Sequence, residues 1–265
     1  MNKEFKDKNY WAVILGGSSG LGLATAKKLA KHGMNICIIH RNPRMQENLI
    51  NAGFEIIKAE GVLFKSFNMD AFNTQKRDVV IEELKVLLFE KGKIRTLVHS
   101  VAKGNLKPMV SKDKSELKND DFALTINAMA ISLYDWTKVL YTNNMFAKDA
   151  RIISFTSEGN TKAWENYAAV SAAKVTLEAI SRNIALEFAS SGIKSNCIQA
   201  GVTDTASLRL IPGSNNIIEH TLKRNPNKRL TVPEDVANAV YLLSKDEASW
   251  ITGITIPVDG GEHLR

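Results

Sequence analysis

Residues 11–31 read WAVILGGSSGLGLATAKKLAK, and the order of parts within them decides the fold. The apolar run Trp11 to Leu15 passes into the turn Gly16-Gly17-Ser18-Ser19-Gly20-Leu21-Gly22, and from Leu21 to Lys31 apolar residues recur at helical spacing. A strand that enters a helix through glycines is the opening of a βαβ unit. Glycines are required because the chain must turn tightly and let a pyrophosphate approach its backbone, where the first amides of the helix meet the charge. Gly16, Ser18, Ser19, Gly20, Leu21 and Gly22 are therefore the candidate cradle of a dinucleotide, with a plain strand-to-helix turn as the alternative.

Outward from this stretch the same alternation repeats. Short runs rich in Val and Ile predict strands at Trp11 to Leu15, Asn35 to His40, Leu63 to Phe67, Thr96 to Ser100, Arg151 to Phe155, Lys194 to Gln199 and Ile254 to Val258. Longer periodic stretches predict helices over Leu21 to Lys31, Thr74 to Glu90, Asp120 to Asn143, about Asn166 to Ser190, and Pro233 to Ser244, where Pro-Glu-Asp suits a first helical turn. The expected architecture is α/β: one Rossmann-type domain over residues 1–265, a doubly wound parallel sheet of about seven strands flanked by helices. Lys103 to Asn119 and Asp204 to Arg229 read as loops at strand ends, where open α/β sheets bind ligands, the second as a covering region of loop and helix.

Composition narrows the function classes. The 265 residues are 44% hydrophobic and 24% charged, as expected of a globular chain. The net charge of +7 comes from cations scattered among 28 acids, which argues against nucleic acid and leaves an anionic small molecule or an acidic carrier protein. Cys37 and Cys197 sit apart in apolar runs, so neither a disulfide framework nor a metal site has its ligands. The start MNKEFKDKNYWAVILGG carries no leader pattern and no run is long enough to span a bilayer, so a cytoplasmic protein without a membrane partner is expected.

Eighteen to twenty residues beyond Gly22, where an acid would bind the adenosine ribose of NAD, stand His40, Arg41 and Asn42, with Arg44 close by. No Asp or Glu occurs from Asn35 to Gln46, so a ribose 2′-phosphate is attracted and NADPH is favoured over NADH; a solvated basic loop is the alternative. Asp70, with Ala71 beside it, is placed to meet the adenine edge, or else Asp70 caps the helix near Thr74. Ser100, Val101 and Ala102 are small enough for the cofactor to lie against the backbone.

The chemistry is expected after the fifth strand. Tyr167 and Lys174 are two helical turns apart and project from nearly the same side. A lysine near a phenol favours the phenolate and makes Tyr167 a general acid for an oxygen that gains charge as hydride arrives. Alone, this spacing on an amphipathic helix is surface decoration; behind a glycine loop it is a candidate catalytic pair.

With these residues in place, the chain resembles a short-chain dehydrogenase/reductase from the glycine loop to Val258-Asp259-Gly260-Gly261. Leu15 stands where that family's loop usually has Thr. Most members place three residues between the active Tyr and Lys; the enoyl-acyl-carrier-protein reductase branch places six, as Tyr167 and Lys174 do. Hydride to the β-carbon of an enoyl thioester lands several bonds from the thioester oxygen, so the acid must stand farther from the nicotinamide than in a ketoreductase. His99-Ser100 also resembles this branch. Ser157 occupies the place of a second Tyr in many enoyl reductases, which resembles the NADPH-dependent bacterial type, or a ketoreductase whose Ser binds the carbonyl. By resemblance Asn127 supports the lysine through a water, Gly201, Val202 and Thr203 clasp the nicotinamide carboxamide, and a homotetramer forms through the long helices. Asn127 could equally satisfy a local backbone group.

The segment after Thr203 carries Leu208, Leu210, Ile211, Ile217, Ile218 and Leu222, an apolar cover suited to an acyl chain, and Leu208 is with Ser157 and Tyr167 a candidate substrate contact. Arg209, Lys223, Arg224, Lys228 and Arg229 lie between Thr205 and Val232 with one acid, Glu219, an edge that would steer an acidic carrier, or merely a solvated basic loop. The expected function is NADPH-dependent reduction of trans-2-enoyl thioesters on acyl carrier protein or coenzyme A, in fatty-acid elongation. The rivals are a 3-oxoacyl-thioester or other carbonyl reductase of the same fold, and a non-catalytic NADPH-binding sensor.

Overall fold

In strand β1 (Tyr10–Leu15) every residue from Trp11 to Leu15 is buried, because alternate side chains enter two different cores. Trp11, Val13 and Leu15 pack with α3 (Thr74–Leu87), α5 (Ser132–Thr142) and α6 (Ala168–Glu187). Ala12 and Ile14 pack with α1 (Gly20–Lys31), α2 (Glu47–Lys58) and α9 (Pro233–Ser244) on the opposite face. The computed structural model describes residues 3–89 and 91–265.

The remaining strands are β2 (Asn35–His40), β3 (Phe64–Asn68), β4 (Lys93–His99), β5 (Phe146–Ser157), β6 (Ile193–Ala200) and β7 (Thr255–Val258). They form one seven-stranded sheet in the order β3-β2-β1-β4-β5-β6-β7, parallel throughout. The winding reverses between β1 and β4, and the crevice above that reversal is where such a sheet takes a ligand. Leu15 pairs with His99, and His99 with Ser154, so the loops that follow β1, β4 and β5 open side by side.

The sequence-predicted strands all form, Asn35 to His40 with the predicted ends and the other six with shifted ones. Four features differ. Helix α2 was not anticipated; its core face is only Ile50, Gly53, Phe54 and Ile57. The helix expected over Asp120 to Asn143 is α4 (Asn119–Ile126), a π-helical turn over Asn127–Ile131, and α5. Asn166 takes a left-handed φ of +62°, which delays the start of α6 to Ala168. The segment 204–229, expected as a covering region of loop and helix with no helix bounds assigned, contains α7 (Ala206–Arg209) and α8 (Ser214–Arg224), the latter entered through Gly213. Lys103 to Lys118 is irregular, as expected. The helix expected over Thr74 to Glu90 is α3, which ends at Leu87; Glu90 itself lies outside the described residues. Among those described, no helix is long and apolar enough to cross a membrane.

Candidate active site

Gly16 leaves β1 with φ +83°, and a Cβ there would run into the Ser100 carbonyl oxygen at the end of β4. A Cβ on Gly22 would meet the Gly16 carbonyl. Glycine thus lets the loop fold onto its neighbours. Ser19, the N-cap of α1, makes no side-chain bond to the first-turn amides, and no acid lies in that turn. The positive end of α1 is free to meet an anion, and Gly16, Ser19, Gly20 and Leu21 face one cavity together with Ser100, Val101 and Ala102. These residues fit a dinucleotide pyrophosphate.

The expected adenosine residues stand apart from that cavity, around the ends of β2 and β3. Ser18 Oγ donates to Asn42 Oδ1 at 2.7 Å, and His40 Nδ1 lies 2.9 Å from the same oxygen. Asn42 N donates to Asn68 Oδ1 at 3.1 Å, and Asn68 Nδ2 donates to the Asn42 carbonyl at 3.0 Å. Asn42 therefore organises this corner. Arg41 is exposed and pairs with Asp70 at 2.9 Å; Lys103 lies 3.8 Å from the same carboxylate oxygen. The cap reading of Asp70 fails: Asn73 caps α3 by accepting from Lys76 N, while Asp70 accepts from Phe72 N. Ala71 is buried and its carbonyl accepts from Trp136 Nε1. Gly22 packs behind the loop, outside the cavity lining.

Ser157 ends β5, and its Oγ lies 3.5 Å from the Tyr167 hydroxyl. Lys174, buried on α6, donates to the Phe155 carbonyl at 2.6 Å. All three line the cavity. Burial pulls the Lys174 ammonium down to about 8, with Cys197 and Glu178 opposing. The expectation that Lys174 depresses the Tyr167 phenol is not met: burial raises it, partly offset by the Ser157 bond. The lysine is committed to a carbonyl instead. His99 is buried against Ser132, 2.7 Å from its Oγ, and burial, then the Lys174 charge, hold it down to about 3. Asn127 starts the π turn, is exposed, and is not brought to the cavity.

The cavity measures about 260 Å³. Gly201, Val202 and Thr203 form one edge, and Leu208, Leu210 and Ile211 of the cover another. Ile217, Ile218 and Leu222, expected in the same cover, do not line it. Sequence reasoning missed Leu106, Met129, Trp164, Val170 and Glu262. Trp164 lies three residues before Tyr167 with ring centroids 5.4 Å apart, a proximity the sequence could have suggested. Glu262 carried no signal. The basic edge is also weaker than its composition: Arg209 pairs with Asp204, Arg229 with Asp235, and Arg224 with Glu158 and Glu262. Both cysteine thiols are buried and raised, Cys37 to about 12.

The model of the family described as enoyl-(acyl carrier protein) reductase matches residues 16–263. The enoyl-acyl-carrier-protein reductase (NADH) of Enterococcus faecalis is 27% identical over 98% of this chain and 98% of its own. The 3-oxoacyl-acyl-carrier-protein reductase of Chlamydia muridarum is 26% identical over 96% of this chain and 97% of its own. The crystal structure of the enoyl-acyl-carrier-protein reductase (NADH) of Aquifex aeolicus superposes with a TM-score of 0.80 at 26% identity, covering 97% of each chain.

Proposed function

The chain belongs to the short-chain dehydrogenase/reductase family, and from that membership we propose that it reduces the trans-2 double bond of enoyl thioesters on acyl carrier protein, using NADPH, in fatty-acid elongation. As a member it is an oxidoreductase with a nicotinamide cofactor, which supplies hydride when bound. The observation that carries the finer reading is the seven-position spacing of Tyr167 and Lys174, both lining a cavity walled by Leu106, Met129, Val170 and Leu208. Gly16, Ser19, Gly20 and Leu21 hold the pyrophosphate; Ser100 to Ala102 and Gly201 to Thr203 orient the nicotinamide half. Lys174 binds the ribose. Tyr167, kept protonated by burial, would donate a hydrogen bond to the thioester oxygen as that oxygen gains enolate charge, Ser157 would give a second, and the enolate α-carbon would then take a proton from solvent to leave the saturated thioester. Segment 204–229 covers the acyl chain and excludes water.

Arg41 and Arg44, exposed at the end of β2 with no acid on that strand, support NADPH. Asp70 balances Arg41 but leaves its guanidinium at the surface, 64% exposed, where a phosphate can compete. Exposed Tyr134, Tyr141 and Val175 on α5 and α6 support a homotetramer, testable by light scattering.

A carbonyl reductase acting on 3-oxoacyl thioesters is the second reading, favoured by the Ser157–Tyr167 pair, whose two hydroxyls at 3.5 Å suit one carbonyl oxygen. Following NADPH absorbance with a trans-2-enoyl thioester and a matched 3-oxoacyl thioester separates the two, with Tyr167→Phe as control. Turnover of the enoyl compound alone, lost in the variant, upholds the first reading. Preference for the 3-oxo compound upholds the second, and tight NADPH binding without turnover of either points to a sensor.

A further inference from the structure

An ion cluster next to the cavity plays no part in the chemistry just proposed. Glu158, the residue after Ser157, accepts from Arg224 Nη1 at 3.1 Å and from Arg224 Nη2, and pairs with Lys162 at 2.6 Å. Arg224 is the last residue of α8, and its Nη2 also donates to Glu262 Oε1 at 2.7 Å. The other oxygen of Glu262 accepts from Val202 N at 3.2 Å. The side chains of Arg224, Glu158 and Glu262 are only 11%, 10% and 3% exposed. Arg224 Nε is buried without a partner among the described residues, so these carboxylates orient the fork.

One guanidinium thus joins three segments far apart in sequence: the end of β5 at Ser157, the cover, and, through Glu262, the loop after β6. A planar fork fits two carboxylates with fixed geometry, which an ammonium does not. With so little of the cluster exposed, removing one member leaves a buried charge uncompensated, so the arrangement holds as a unit or opens as one. Of the eleven residues of α8 only Thr221 is buried; besides the cluster, the cover is anchored by Leu208, buried in α7, by Ile211, and by Asn225, which follows α8 and donates to the Asp259 carbonyl at 3.0 Å.

We propose that Arg224 is a positioning residue: through Glu158 and Glu262 it latches the cover, residues 206–224, onto the Ser157 end of β5 and the Val202 loop, so that the apolar wall of Leu208, Leu210 and Ile211 is in place before substrate arrives. The latch touches no reacting atom. Its kinetic consequence rests on the reading of the cavity as a thioester site; its mechanical consequence does not.

The test compares Arg224→Gln and Arg224→Lys with wild type in two measurements. Without substrate, amide exchange across 206–224 should be at least about 10-fold faster in Arg224→Gln, intermediate in Arg224→Lys, and unchanged in α1. With whichever thioester is reduced, KM should rise at least about 10-fold in Arg224→Gln while kcat moves less than about 3-fold, with Arg224→Lys partly restoring KM. Unchanged exchange over 206–224 overturns the latch whatever the substrate proves to be. Faster exchange with an unchanged KM, or a loss confined to kcat, overturns the positioning role. If neither thioester is reduced, the functional reading fails while the exchange measurement still decides the latch. Should Arg224→Gln not fold, Glu158→Gln, which keeps the side-chain shape, carries the same comparison.

Discussion

Lys174 is a buried ammonium whose ordinary value of 10.5 is pulled down to about 8 by loss of water. At about 1.4 kcal/mol per decade, that depression means the charged lysine costs the fold about 3 kcal/mol near neutral pH. Between about pH 8 and 10.5 the folded chain binds fewer protons at this site than the unfolded chain, so stability due to Lys174 rises with pH through that window and the cost is fully present below it. Lys174→Met removes the charge and keeps an unbranched side chain, but leaves the Phe155 carbonyl without its donor, a loss of about 1–3 kcal/mol. The variant should therefore equal or exceed wild type by up to about 2 kcal/mol near pH 7, and that advantage should shrink by about 2 kcal/mol near pH 9.5. Urea unfolding at the two pH values, followed by the fluorescence of the fully buried Trp11 and Trp136, measures the change in the gap. A gap constant to within about 0.5 kcal/mol would refute the claim that burial sets the charge of Lys174.

Four other outcomes are expected. Gly16→Ala, which drives a methyl group into the Ser100 carbonyl at φ +83°, should cost about 1–3 kcal/mol in chemical unfolding and weaken NADPH binding at least about 10-fold by fluorescence titration. Arg41→Ala should raise the Kd for NADPH about 10-fold and that for NADH less than about 2-fold; equal effects would mean that Arg41 does not meet a 2′-phosphate. His99, held at about 3, stays neutral in the fold while the unfolded chain takes up a proton below 6.5, so wild type should lose about 2 kcal/mol relative to His99→Gln between about pH 7.5 and pH 5 in urea melts. Arg95, buried between Asp149, Asp246 and the Ser244 carbonyl at the opposite end of the sheet, should cost about 3–5 kcal/mol on replacement by Ala, read as a fall in Tm without a change in KM.

Much of this was legible in residues 11–31 and in the spacing of Tyr167 and Lys174, because strand alternation, glycine turns and helical period are local properties that the chain writes in order. The seven strands, the cavity lining at Gly16, Ser19 and Ser100, and the meeting of Ser157, Tyr167 and Lys174 follow from that local pattern once the sheet is parallel. Helix α2 was missed because its buried side is narrow, and α8 because polar residues outnumber its apolar ones. Tertiary structure alone decided what each charge meets. Asp70 faces Arg41 across 29 positions, Arg224 reaches Glu158 across 66, and Lys174 turns to the Phe155 carbonyl rather than to the phenol. Charge pairing depends on which strands become neighbours and on how much water is left between them, and neither quantity is carried by residues adjacent in the chain.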